Sequence, residues 1–243
     1  MAHRFYVPPD AISDNEVRFS GDQRKQIKNV LRLRAGDVVN VFDGAGQEFA
    51  VSLKTIDDPA TGVILQTTTP STEPEVRLTL IQSLPKGEKI DLILQKCTEV
   101  GVSNFLFLET ARSIPHVSPE KLPSRLERWR SIVKEAAEQS GRVRLPSVDW
   151  AVSFDEALKR ISSIDHRLIA WECHEGSTLM SKLPEFKGAK DIALFIGPEG
   201  GFTEQEIEKA RNAGVTPISL GSRILRTETA AIVGSALIIY RSA

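Results

Sequence analysis

A glycine-rich segment near the carboxyl end of the chain has the residue types and spacing of a ligand-binding loop. Residues 196–202, with the sequence IGPEGGF, follow an apolar run typical of a buried strand and precede a capping box at residues 203–206. Glycines at the end of a strand allow the backbone to approach a ligand closely. The spacing matches neither a Walker loop nor the dinucleotide fingerprint. A tight strand-to-helix turn, with Glu199 near the helix dipole, is the alternative.

A second segment, residues 220–230 with the sequence LGSRILRTETA, also leaves an apolar run and enters an apolar helix. It sets the charges of Arg223, Arg226 and Glu228 between apolar residues. Because both segments follow predicted strands, their loops can form one pocket. The alternative is a helix start capped by Thr227, with Arg226 paired to Glu228.

The elements that position these segments alternate between strand and helix from residue 76 onward. This alternation predicts an α/β domain with a mostly parallel sheet. The strand candidates are residues 76–84, 104–108, 167–171, 192–196 and 215–220. Helices are predicted over residues 90–100, 122–136 and 230–240, and from starting points near Ser153, Ser177 and Thr203.

The chain before residue 67 has a different pattern, which predicts a small β-barrel with strands at residues 38–42, 48–53 and 62–68. One helix interrupts it, starting at a capping box formed by Ser20 and Gln23, with Ile27, Val30 and Leu31 on its apolar face. Its opposite face carries Arg24, Lys25, Lys28 and Arg32 and is either a candidate nucleic-acid-binding surface or a merely solvated face. Arg4, earlier in the same part of the chain, is a further candidate nucleic-acid-binding residue.

The composition is that of a globular protein. The 243 residues include 31 Lys and Arg against 32 Asp and Glu, a net charge of −1, and 41% hydrophobic residues. These values argue against a disordered chain, a collagen or a disulfide scaffold. A nucleic-acid binder with so little net charge must use local patches.

The sequence also excludes several settings. We expect no secretory signal, because the first ten residues contain no long apolar run, and no membrane helix, because the apolar stretch at 230–240 is far shorter than the ~20 residues that one needs. With two cysteines, the simplest setting is reducing and intracellular. Cys173 and His174 adjoin, but no second pair has ligand spacing, so we expect no metal site.

Residues 197–201 followed by residues 220–230 resemble the RsmE family of bacterial ribosomal RNA small-subunit methyltransferases, which act on a uridine N3 and lie in the SPOUT superfamily. Residues 30–37, 95–102 and 135–142 match as well, so the resemblance covers nearly the whole chain. It implies an α/β fold with a PUA-like β-barrel RNA-binding domain at residues 1–72. A SPOUT methyltransferase domain with a C-terminal trefoil knot would follow at residues 73–243. The resemblance also implies a cytoplasmic homodimer that binds S-adenosylmethionine and methylates 16S ribosomal RNA of the small ribosomal subunit.

The resemblance places the cofactor pocket at the two segments and at the strand end near residue 172. The implied cofactor-binding residues are Glu172, Ile196, Gly197, Gly201, Leu220, Gly221, Ile224 and Leu225.

Methyl transfer from a sulfonium is an in-line displacement, so positioning supplies much of the catalysis. The N3 of uridine carries a proton, and the site therefore needs a base or a cation that stabilises the uracil anion. Glu199 and Arg226 are the candidates for these two catalytic roles. The alternatives are that Glu199 only caps a loop and that Arg226 only binds phosphate.

Two other functions stay open at this point. One is a non-enzymatic RNA-binding ribosome assembly factor. The other is a SPOUT methyltransferase that acts elsewhere on RNA, such as a ribose 2′-hydroxyl or a tRNA base. The intact glycine segment and residues 220–230 favour an enzyme.

Overall fold

The computed structural model describes residues 3–172 and 176–242 and divides into two compact units. The first unit runs to Glu73 and also includes Ala137–Leu145. The second comprises Pro74–Ala136 and the chain from Pro146 onward. Cys173 and His174 lie outside the described residues.

The first unit is built on a six-stranded sheet with the order β1-β4-β5-β6-β3-β2. Its β1 and β4 pair in parallel, and the other pairs are antiparallel. Alternating side chains of β5 are buried against the core of this unit, as expected for a sheet with one buried face. The strands are β1 (Arg4–Tyr6), β2 (Ile12–Ser13), β3 (Glu16–Arg18), β4 (Val38–Phe42), β5 (Glu48–Thr55) and β6 (Thr61–Thr68).

The predicted helix of this unit begins at the predicted capping box. The hydroxyl of Ser20 accepts a hydrogen bond from the Gln23 backbone at 3.2 Å, and the Gln23 side chain accepts one from the Ser20 backbone at 2.9 Å. After α1 (Gly21–Lys25) the chain forms a π-helical turn, Gln26–Val30. A π-turn is wider than an α-turn, so Val30 leaves the apolar face on which it was predicted and is 72% exposed.

The second unit contains a sheet of six strands that are all parallel, as the alternating pattern predicted. The strand order is β12-β10-β11-β7-β8-β9. The strands are β7 (Arg77–Ser83), β8 (Asn104–Leu108), β9 (Ser147–Ala151), β10 (His166–Ala170), β11 (Asp191–Ile196) and β12 (Thr216–Ile218). The helices are α2 (Lys89–Val100), α3 (Leu122–Ser140), α4 (Phe154–Arg160), α5 (Leu179–Lys182), α6 (Glu204–Asn212) and α7 (Thr227–Ser242).

The order of this sheet brings the informative segments together. Strands β12, β10 and β11 are neighbours, so the loops that follow them leave from the same carboxyl edge. In parallel α/β sheets this edge is where ligands bind. Among the described residues, no helix is long and apolar enough to cross a membrane.

Candidate active site

A pocket of about 520 Å³ opens at the carboxyl ends of β10, β11 and β12. Its walls are formed by the carboxyl ends of these strands, by the two predicted segments and by Lys89, the first residue of α2. The lining residues are Lys89, Ala170, Trp171, Glu172, Ile196, Gly197, Pro198, Glu199, Gly200, Gly201, Ser219, Leu220, Gly221, Ser222, Arg223, Ile224, Leu225, Arg226, Thr227 and Ala230.

The loop at residues 197–202, which we call the glycine loop, needs glycine at its tightest point. Gly201 has a φ of +66°, and its N–H donates a hydrogen bond to the Pro198 carbonyl at 3.0 Å. A Cβ at Gly201 would lie 2.3 Å from Oε1 of Glu172. The missing side chain therefore leaves the space in which the Glu172 carboxylate sits.

Side chains from distant elements fix the carbonyl groups of the glycine loop. The hydroxyl of Thr227 donates to the Gly197 carbonyl at 2.6 Å and accepts from the side-chain amide of Gln82 at 3.0 Å. The guanidinium of Arg112, in the loop after β8, donates to the Gly200 carbonyl at 2.8 Å. Thr227 is the first residue of α7 rather than its N-cap, so its hydroxyl holds the glycine loop and does not cap the helix.

The carboxylate of Glu199 is held by Lys89 at 2.6 Å and by the backbone N–H of Lys86 at 3.1 Å. Burial opposes the ionisation of Glu199, but these hydrogen bonds, one from its own backbone and the charge of Lys89 outweigh burial. The pKa of Glu199 consequently lies below its ordinary value. Glu199 is therefore an ionised hydrogen-bond acceptor at neutral pH, and it is a weak base.

Glu228 pairs with Lys89 at 3.5 Å, and no described contact joins it to Arg226, the partner that the alternative interpretation expected. Arg226, Arg223 and Ile224 are exposed in the loop at residues 219–226, which we call the second loop; Ile224 is 88% exposed. The hydroxyl of Ser219 accepts from the Gly221 N–H at 3.2 Å and lies 3.1 Å from its carbonyl.

All the predicted cofactor-binding residues and both predicted catalytic residues line this one pocket. Their roles stay predictions. The sequence analysis missed Lys89, Thr227 and Arg112 as parts of the site. Only Thr227 lies in one of the two segments that indicated the pocket; Lys89 and Arg112 lie outside both.

The predicted RNA-binding residues lie in the first unit and differ in exposure. Lys25, Lys28 and Arg32 are exposed; Lys25 pairs with Asp22 at 3.1 Å, and Lys28 with Asp57 at 2.7 Å. Arg24 is half-buried.

Arg4 is largely buried, which does not favour the RNA contact predicted for it. Its guanidinium pairs with Glu48 at 2.7 Å, donates to the Ala137 carbonyl at 3.1 Å and lies over the ring of Phe42 at 4.3 Å. The physical reason is that the Arg4 side chain packs against Phe42 of the neighbouring strand β4, where its buried charge must find a partner.

Comparisons with known proteins agree with this geometry. A family model described as an RNA methyltransferase domain matches residues 72–239, and one described as an RNA methyltransferase PUA domain matches residues 19–64. The ribosomal RNA small subunit methyltransferase E of Bacillus subtilis is 34% identical over 231 residues, which cover 92% of this chain and 89% of that protein. The protein of the same name from Synechocystis is 35% identical, and the match covers 98% of this chain and 77% of that protein.

A solved structure is similar over nearly the whole chain. It is the ribosomal RNA small subunit methyltransferase E from Neisseria gonorrhoeae bound to S-adenosyl methionine. The TM-score is 0.86 at 34% identity, and the match covers 97% of this chain and 96% of that one. The predicted fold class, an α/β SPOUT-type methyltransferase domain preceded by a PUA-like domain, is confirmed. The chain belongs to the RNA methyltransferase family and, within it, to the RsmE family that its sequence resembles.

Proposed function

We propose that this protein is an S-adenosylmethionine-dependent methyltransferase that modifies N3 of a uridine in 16S ribosomal RNA of the small ribosomal subunit. The observation that carries the proposal is the single pocket into which the fold brings both predicted segments. Its place at the carboxyl edge of a parallel sheet, in a chain of the RNA methyltransferase family, supports an enzyme rather than a passive RNA-binding factor.

The pocket fits S-adenosylmethionine in size and in chemistry. Its volume of about 520 Å³ lies in the range of cofactor sites. Leu220, Ile224 and Leu225 supply apolar surface for an adenine, and the glycine loop supplies backbone groups. The carboxylate of Glu172, in front of Gly201, is suited to a cationic or hydroxyl group of the cofactor. The bound cofactor supplies an electrophilic methyl group on a sulfonium sulfur.

The proposed roles of the protein residues follow from charge and position. Glu199, held ionised, accepts the hydrogen bond of the uracil N3–H and orients the base. Because Glu199 is a weak base, the exposed Arg226 has the larger task of stabilising the uracil anion that forms as the proton leaves. The N3–H bond breaks, and its proton passes through the Glu199 carboxylate to water. The N3–methyl bond would form while the sulfur–methyl bond of the bound cofactor breaks, and the cofactor would leave as a neutral thioether.

We further propose that residues 1–72 act as a PUA-like RNA-binding domain and that residues 73–243 form a methyltransferase domain with a trefoil knot. A homodimer in the cytoplasm completes the proposal. Leu92 on α2 and Val233 and Tyr240 on α7 are apolar and exposed, and these two helices pack together. This surface supports burial between two copies. Light scattering at micromolar concentration should report twice the 26.8 kDa chain mass; a fully active monomer would contradict the dimer.

The deciding experiment is mass spectrometry of 16S nucleosides from a strain that lacks this gene. We expect N3-methyluridine to be missing in that strain and restored by the wild-type gene. An Arg226→Ala gene should restore it poorly. Unchanged N3-methyluridine in the deletion strain would refute the proposed target, and a missing ribose methyl group would favour the alternative position.

RNA capture by the first unit has its own test. A Lys25→Ala, Lys28→Ala, Arg32→Ala triple variant removes exposed cations and leaves the buried Arg4 in place. We expect normal cofactor binding and weaker RNA binding, with a log–log salt slope shallower by about one unit per lost phosphate contact. An unchanged slope in filter binding would show that this face is merely solvated.

A further inference from the structure

Lys89 meets two carboxylates that come from different parts of the chain. Its ammonium donates to Oε1 of Glu199 at 2.6 Å and lies 3.5 Å from Oε2 of Glu228. Lys89 begins α2, Glu199 belongs to the glycine loop, and Glu228 lies in the first turn of α7. One cation therefore joins three elements that are far apart in sequence.

The environment of Glu228 makes this contact necessary. Its side chain is 13% exposed, and its Oε2 is buried and accepts no hydrogen bond from the described residues. A buried carboxylate without a compensating charge is costly. Without Lys89, Glu228 and Glu199 would repel each other across a partly buried space.

We propose that Lys89 is a positioning residue of this site, which bridges Glu199 and Glu228 and thereby fixes the Glu199 carboxylate at the pocket wall. The inference rests on the proposed function only for the role of Glu199 as the hydrogen-bond acceptor of the uracil N3–H. The other charged side chains on the walls of this pocket are Glu172, Arg223 and Arg226.

The contacts of Lys89 determine the direction in which the pKa of Glu199 is shifted. The hydrogen bond and charge of Lys89 lower the pKa of Glu199, in opposition to burial, and the hydrogen bond to Glu199 raises the pKa of Lys89. Removing the ammonium leaves burial opposed only by the backbone hydrogen bonds of Glu199 and Lys86, so the pKa of Glu199 should rise. Removing the charge of Glu228 leaves the Lys89 ammonium to Glu199 alone, so we expect the pKa of Glu199 to fall.

A carboxyl carbon-13 NMR titration of the whole protein measures this directly, with the Glu199 signal assigned by its loss in Glu199→Gln. We expect the titration midpoint of Glu199 to rise in Lys89→Met. Lys86→Met is the matched control, because Lys86 contacts Glu199 through its backbone N–H and not through its side chain. An unmoved midpoint in a folded Lys89→Met protein would overturn the inference.

Two further variants separate bridging from general damage. Glu228→Gln should move the Glu199 midpoint downward, and Lys89→Arg should keep it near the wild-type value. The Lys89→Met, Glu228→Gln double variant should lie between the single variants. Upward shifts in both single variants would indicate a disturbed loop and contradict the bridge.

The same variants connect the inference to catalysis. If Glu199 must be ionised, the acid limb of the pH–kcat profile should move to higher pH in Lys89→Met and stay in place in Lys86→Met. An NMR midpoint that shifts while the wild-type protein methylates no ribosomal RNA would refute the proposed function and leave the bridge intact. Methylation with an unmoved midpoint would refute the bridge alone.

Discussion

The glycine loop and the second loop line the same pocket, but they are held in different ways. Side chains from elsewhere in the fold grip the glycine loop: Thr227 holds the Gly197 carbonyl, Arg112 the Gly200 carbonyl and Lys89 the Glu199 carboxylate. Three other elements thus determine its shape before any ligand arrives.

The backbone of Ser219, at the start of the second loop, is hydrogen-bonded to Ser177 at 3.0 Å and to Leu179 at 2.8 Å, but no described side chain from elsewhere in the fold is hydrogen-bonded to the rest of this loop. The hydroxyl of Ser219 bonds to the backbone of Gly221, and the larger side chains that follow, Arg223, Ile224 and Arg226, are exposed. The two loops should therefore respond differently to substitution. Changes in the glycine loop should act through its structure, whereas changes in the second loop should act through contacts with a ligand.

The largest expected effect belongs to Arg226. Arg226→Ala should lower kcat by about 100-fold, the usual loss when a charge-stabilising group is removed. Because Arg226 is exposed, we expect the melting temperature and the S-adenosylmethionine affinity to stay near wild type. Single-turnover methylation measures the rate, and calorimetry measures the melting temperature and the affinity.

Arg223→Ala is the matched control for this prediction, since it removes a neighbouring exposed arginine of the same loop. Arg223→Ala should lower kcat by a smaller factor than Arg226→Ala does. A large fall in melting temperature for Arg226→Ala would mean that the second loop is also structural, and the contrast between the loops would be lost.

Two glycines provide a direct comparison of the loops. Gly201 and Gly221 both have positive φ, +66° and +119°, so alanine strains the backbone at either position. At Gly201 the added Cβ also meets Glu172 at 2.3 Å, whereas at Gly221 nothing lies within 4 Å. Gly201→Ala should therefore lose about tenfold more S-adenosylmethionine affinity, or about 1.4 kcal/mol, than Gly221→Ala. Equal losses by calorimetry would show that strain alone matters.

The hydrogen bond from Thr227 to the glycine loop should contribute to the free energy of unfolding. Thr227→Val leaves the Gly197 carbonyl and the Gln82 amide without their partner in a buried setting. We expect a loss of about 1–3 kcal/mol in the free energy of unfolding. Thr229→Val, at an exposed position two residues later, should change it by less than about 0.5 kcal/mol. Similar urea midpoints for the two variants would argue against a structural grip.

The sequence predicted the two loops because their signals are local. A glycine cluster after an apolar run can be recognised from neighbouring residues alone. The same holds for the capping boxes at Ser20 and Thr203, and both form as predicted. The strands of the second unit were located by alternation, although β9 was missed.

What could not be predicted depends on residues that are distant in sequence. Lys89 reaches Glu199 across 110 positions and Arg112 reaches Gly200 across 88, and neither lies in one of the two segments that indicated the pocket. Arg4 was counted among surface cations because its partner Glu48 is 44 positions away. The short strands β1, β2 and β3 exist through pairing, and a run of two or three residues has no detectable periodicity.

The smallest expected effect compares one exposed hydrogen bond in each loop. Arg112→Ala removes the donor to the Gly200 carbonyl, but water can replace it at this exposed position, so the loss should be about 0.5–1 kcal/mol. That corresponds to a few-fold weaker S-adenosylmethionine binding. Ser219→Ala removes only a bond inside the second loop and should weaken binding less than Arg112→Ala does, since that loop is expected to take its shape from the ligand. If calorimetry gives the reverse order, the second loop is the one arranged in advance, and the contrast between the two loops must be inverted.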